Sequence, residues 1–180
     1  MAVWNVIDHQ ELGASGATSW DKDSIPASYD HLYLVANIRT DDASTYNDKF
    51  KVVFNDDTAT NYSYTDLYTG TGTPTSGQGA TKNEIENLYC SSSSTLADTF
   101  GVFQMWILDY TSTSKYKQTL SFYGCPNNSS TNWHWTVGQV GALWRSTAAV
   151  TKIELTPFGA PTDKFIQYST FTLYGINGAA

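Results

Sequence analysis

The stretch "HLYLVANIR" (His31–Arg39) decides the fold class. Leu32, Leu34, Ala36 and Ile38 occupy every second position, with His31, Tyr33, Asn37 and Arg39 interleaved. A period of two puts the first set on one side of an extended chain and the second set on the other, as in a β-strand with one buried face. The pattern recurs outward from this segment. Phe50, Val52 and Phe54 alternate with Lys51 and Asn55, Leu120 and Phe122 with Thr119 and Ser121, and Ile153 and Leu155 with Lys152 and Glu154. In the late segment "STFTLYGI" (Ser169–Ile176), Phe171 and Leu173 share a face opposite Thr170, Thr172 and Tyr174. That segment holds no acid and no base, and reads as a strand built only to be packed and paired.

Between these runs lie turn-rich stretches such as "DDASTYND" (Asp41–Asp48), "NDDTATN" (Asn55–Asn61) and "TSTSK" (Thr111–Lys115). Asn, Asp, Ser and Gly favour turns because they bond to their own backbone or tolerate left-handed conformations. The glycine run "TGTGTPTSGQGAT" (Thr69–Thr81) is expected to be a flexible surface loop, and Thr81–Glu84 carries the capping-box pattern of a short helix start. Short strands, frequent turns and no long helical period predict an all-β fold: an antiparallel, jelly-roll-like β-sandwich of about eight strands, forming one domain over residues 1–180.

Composition supports this class and narrows the function. Aromatic residues make up 14% of the 180-residue chain and charged residues only 15%, against roughly 25% charged in an ordinary globular protein. The formal net charge is −7, and Lys and Arg do not cluster. Phosphate backbones and anionic membranes therefore have no basic surface to meet, so neither nucleic acid nor membrane is an expected partner. No apolar run approaches the roughly 20 residues of a spanning helix, and "MAVWNVIDHQEL" lacks the basic start of a secretory signal. A soluble protein made in the cytosol is expected, with Cys90 and Cys125 both reduced.

The search for chemistry finds little. His9, His31 and His134 are far apart in sequence, and no GxSxG elbow is present. The carboxylate pairs Asp41–Asp42, Asp56–Asp57 and Asp21/Asp23 could serve as glycosidase acids or, at Asn55–Asp57, bind calcium. Asp in turns is more simply explained by backbone capping. The glycine run lacks the GK[ST] ending of a phosphate loop. No catalytic residue, metal site or cofactor is expected. The aromatic residues offer more. "NWHWTV" places Trp133 and Trp135 on one face, and such a row, if exposed, stacks sugar rings as carbohydrate-binding modules do. "TFGVFQMWIL" (Thr99–Leu108) is apolar on both faces, so it is either a central strand covered on each side or a strand whose second face meets another chain. Trp4 and Val6 in the first strand, with Phe103, Met105 and Ile107 in this one, are the expected subunit contacts.

Three segments together carry a resemblance. "VIDHQELGASGATSWDKDSIPASYDHLYLVANIRTDD", "FNDDTATNYS" and "ALWRSTAAVTKIELTP…FIQYSTFTLYGI" resemble small virion structural proteins of tailed bacteriophages. The resemblance runs from Val6 to Ile176 and is weakest between Thr69 and Thr95; "ASYDHL" and "STFTLYGI" are its most specific parts. It implies a β-sandwich on the particle exterior, made in the host cytoplasm, and it transfers no functional residue. Two placements fit. A capsid decoration or cement protein, homotrimeric and bound to the major capsid protein, is favoured over a tail-fibre or tail-tip appendage, because the chain shows no heptads or collagen-like repeat. A carbohydrate-binding module is the further alternative.

Overall fold

The fold was obtained as a computed structural model that describes residues 3–70, 72–126 and 136–178. Twelve strands are found there and no helix: β1 (Val3–Glu11), β2 (Trp20–Lys22), β3 (His31–Ile38), β4 (Asn47–Phe54), β5 (Tyr62–Thr69), β6 (Pro74–Lys82), β7 (Ile85–Ser91), β8 (Gly101–Ile107), β9 (Lys117–Gly124), β10 (Val137–Trp144), β11 (Ile153–Pro157) and β12 (Thr170–Asn177). They form two antiparallel sheets. The larger has eight strands in the order β1-β12-β3-β8-β9-β10-β5-β6, and the smaller four, β2-β11-β4-β7.

The sheets are joined by aromatic residues from their inner faces. Trp20 of the small sheet stacks on Phe171 of the large one at 5.2 Å between ring centroids. Phe50 meets Phe103 edge-on at 4.9 Å, and Phe54 meets Trp144 at 5.6 Å. Leu32, Leu34, Ala36 and Ile38 of β3 are all buried, as are Phe171 and Leu173 of β12. β12 lies between β1 and β3, so the late strand completes the sheet and fills the core. The fold is the expected β-sandwich, with more strands than the eight expected.

Part of the excess comes from β6. Its glycines sit at alternate positions, Gly77 and Gly79, across from Asp66 and Tyr64. A Cβ on Gly77 would stand 2.5 Å from Asp66 Oδ1, and one on Gly79 2.5 Å from Tyr64 Cε1. These glycines serve close approach in an edge strand rather than loop flexibility. Nor does the capping-box pattern start a helix. Thr81, at φ 56°, lies at the end of β6, Glu84 lies between β6 and β7, and Glu84 pairs with Lys51 at 3.2 Å.

A strand of the large sheet is inverted relative to its hydrophobic pattern. In β9, Lys117, Thr119 and Ser121 point inward and are buried, while Leu120 and Phe122 point outward. The neighbours impose this: Ser121 is in register with Met105 of β8 and Val140 of β10, both core residues, and Leu120 with Trp106 and Gly141 on the outer side. Lys117 is satisfied by donating from Nζ to the carbonyls of Ser112 (2.6 Å) and Lys115 (2.9 Å). Among the described residues, the hydroxyls of Thr119, Ser121 and Tyr123 have no hydrogen-bond partner.

Candidate interaction face

The residues expected to carry chemistry occupy structural positions. Asn55 and Asp56 have positive φ, at 52° and 56°. Asn55 Oδ1 accepts from the Thr151 and Lys152 amides at 2.8 and 3.0 Å, tying this turn to the start of β11. Asp57 Oδ2 accepts from Trp144 Nε1 at 2.7 Å and Asn61 Nδ2 at 2.9 Å; these bonds outweigh its slight burial and hold its pKa below the usual carboxylate range. Asp56 pairs with Lys152 at 2.6 Å. Asp42 accepts from the Ser44 amide and from the Ser44 and Thr45 hydroxyls. Among the described residues no group of three or more His, Cys, Asp or Glu side chains is placed to hold a metal ion. His9 Nδ1 bonds to Thr172 Oγ1 at 2.8 Å, and His31 Nδ1 accepts from the Asp109 amide at 3.0 Å. Cys90 and Cys125 are free and buried, and burial pushes the Cys125 thiol up to about 12. Trp133, Trp135 and His134 lie outside the described residues.

The expected contact residues divide by strand. Phe103, Met105 and Ile107 face the core and are buried, so they offer no surface to a partner. This corrects the reading of β8: its outward residues are Val102, Gln104 and Trp106. Trp4 and Val6 of β1 are exposed, at 48% and 59%. Trp4 lies against Tyr33, Trp106 and Tyr174, with ring centroids 5.3, 5.6 and 5.9 Å away and all three pairs edge-to-face. Cross-strand register makes this cluster: Val6 pairs with Tyr174, Tyr174 with Tyr33, and Tyr33 with Trp106. The Tyr33 hydroxyl donates to Gln104 Oε1.

This cluster is one end of a larger surface. Following the register across the sheet, the outward positions run from Trp106 to Leu120, Gly141 and Thr65. A parallel row runs from Gln104 to Phe122, Gln139 and Leu67. Leu120 is 44% and Val102 59% exposed. From β12 across to β6, no outward strand position holds Asp, Glu, Lys or Arg; β1 adds only Glu11, near its end. Three shallow hollows open on this face. One of about 530 Å³ is bordered by Thr65, Gln78, Gln118 and Gly141, one of about 390 Å³ by Val35, Val102, Gln104 and Phe122, and one of about 340 Å³ by Leu67, Pro74 and Gln139. Their linings supply amides, hydroxyls and apolar groups, and no acid–base pair.

The outer face of the small sheet differs. Asp21 of β2, Glu154 of β11 and Lys51 of β4 point outward there. The sandwich thus has one charge-bearing face and one neutral face.

No protein-family model matches the chain, and no curated protein matches it significantly.

Proposed function

We propose that this chain is a structural protein of a tailed-bacteriophage virion, an outer capsid decoration or cement protein that binds the head lattice and stabilises it. The observation that carries this reading is the neutral face of the eight-stranded sheet. Eight strands about 4.8 Å apart and seven to nine residues long make a surface of roughly 35 by 25 Å, on the order of 900 Å². A standard specific interface buries about 800 Å² on each partner. An uncharged face on that scale, with Val102, Leu120, Phe122 and the Trp4 cluster set among amides and hydroxyls, suits contact with another macromolecule, and among the described residues its hollows hold no paired acid and base.

The resemblance of the strand sequences to phage structural proteins supplies the setting. In that setting the partners are further copies of the chain and the major capsid protein. A protein that binds only the assembled lattice stabilises it by mass action, and several contacts per oligomer add avidity. A net charge of −7 suits the particle exterior, away from the genome.

Immunogold labelling of intact particles of the encoding phage tests this placement. Gold spread evenly over heads is the expected result. Gold confined to tails would overturn decoration in favour of an appendage that contacts the host, and unlabelled particles would remove the protein from the virion surface.

A further inference from the structure

We infer that the neutral face of the large sheet is where one copy of this chain packs on another. The inference deepens the virion reading by naming the surface through which copies associate, and it can fail or hold independently of where the protein sits on a particle.

Three observations identify the occupant. The first is charge. Each copy carries −7, so two copies brought together repel through most orientations. Apart from Glu11 near one end, the outward positions of these strands carry no fixed charge and therefore make almost no like-charge contact of their own. A strongly basic or acidic partner would find nothing there to pair with. The matching surface has to be neutral and partly apolar, and among the described strands the outer face of the other sheet is not, with Asp21, Lys51 and Glu154 on it.

The second is shape. Leu120 projects from β9 directly beside Gly141 of β10, where an added Cβ would meet nothing within 4 Å. Val102 likewise stands beside Gly124, whose added Cβ would have only the Val102 and Val137 methyls near it, at 3.8 and 3.9 Å. Each projecting side chain has a hollow next to it on the same face. A surface with knob and hollow side by side can seat on a copy of itself, as self-complementary interfaces do.

The third is the inversion of β9. Turning Leu120 and Phe122 outward while Thr119 and Ser121 are buried without hydrogen bonds costs the isolated subunit on both sides. Burying the outward pair against a second copy recovers the apolar part of that cost. The aromatic cluster at Trp4 extends the face to its β1 edge with residues of the type enriched in interface cores.

Sedimentation equilibrium of the purified chain over roughly a hundredfold range of concentration tests the inference, alongside Leu120→Glu, Val102→Lys and the control Thr156→Glu. Thr156 is on the opposite sheet, and its variant changes net charge as Leu120→Glu does. The wild type and the control are expected at twice the chain mass, the closed pair that a self-complementary face makes. Leu120→Glu and Val102→Lys are expected at the chain mass or at least tenfold weaker in association, with melting of the separated subunit still cooperative. Both replaced side chains are exposed, and two substitutions of opposite charge guard against one of them failing to fold. A monomeric wild type throughout, or oligomers unchanged in both face variants, would overturn the inference. Gold on heads with a monomeric protein would leave decoration standing and this inference refuted; oligomers that fail to label particles would do the reverse.

Discussion

At Asp66 a carboxylate is only 2% exposed, and among the described residues no well-formed hydrogen bond reaches either of its oxygens. Burial pushes its pKa up, outweighing its own amide, the charge of Lys49 and the nearby Asn87 and Gly77 amides, which pull the other way. A folded-state pKa above the unfolded value means that the ionised form is disfavoured in the fold. The cost is present at neutral pH and is relieved as pH falls through the raised pKa towards the ordinary carboxylate value. Asp66→Asn is therefore expected to be more stable than wild type at pH 7 by about 1–2 kcal/mol, with the two converging near pH 4. Urea unfolding at a series of pH values reads this directly, and parallel curves would contradict it. Arg39 shows the opposite solution to burial. Its guanidinium donates to the carbonyls of Leu96 (2.8 Å), Thr99 (3.1 Å), Thr95 (3.2 Å) and Ser93 (3.3 Å), closing the loop before β8 through main-chain acceptors, with the charge of Asp98 also favouring its ionised form.

At the scale of the element, β3 and β12 are legible because Leu32, Leu34, Ala36 and Ile38 in one, and Phe171 and Leu173 in the other, alternate and are the buried set. β9 alternates as strictly, yet its apolar set is outside. Periodicity gives the two faces of a strand and not which one is inward; that is set by pairing, here by Met105 and Val140 on either side of Ser121. β8 was ambiguous for a related reason, since residues on both its faces are apolar. The structure assigns Phe103, Met105 and Ile107 to the core, which makes a prediction. Phe103→Ala is expected to cost about 3–5 kcal/mol of stability by opening a cavity, whereas Val102→Ala changes the stability of the separated subunit by no more than about 0.5 kcal/mol. Thermal or chemical denaturation distinguishes them, and equal costs would reverse the facing of the strand. β6 is hidden in the sequence because its glycines look like turn signals. Gly77 and Gly79 are two apart, and that spacing was the available clue.

At the scale of the whole molecule, the sandwich followed from strand alternation and turn spacing. The neutral face could not be recognised without the sheet order. Its aromatic cluster combines Trp4, Tyr33, Trp106 and Tyr174, which sequence separates widely and register brings together. What had been visible in the chain was low charge, and pairing shows where the low charge is concentrated. The asymmetry between the two outer faces is the central claim, because the assembly role and the contact between copies both depend on it. Hydroxyl-radical footprinting of the assembled protein against the Leu120→Glu variant, read by mass spectrometry, tests it most directly. Oxidation of Trp4 and Trp106 is expected to fall severalfold on assembly while the exposed Phe158, which follows β11, stays as reactive as before. Protection of Phe158 with Trp4 and Trp106 still fully reactive would put the contact on the charged face and contradict the account.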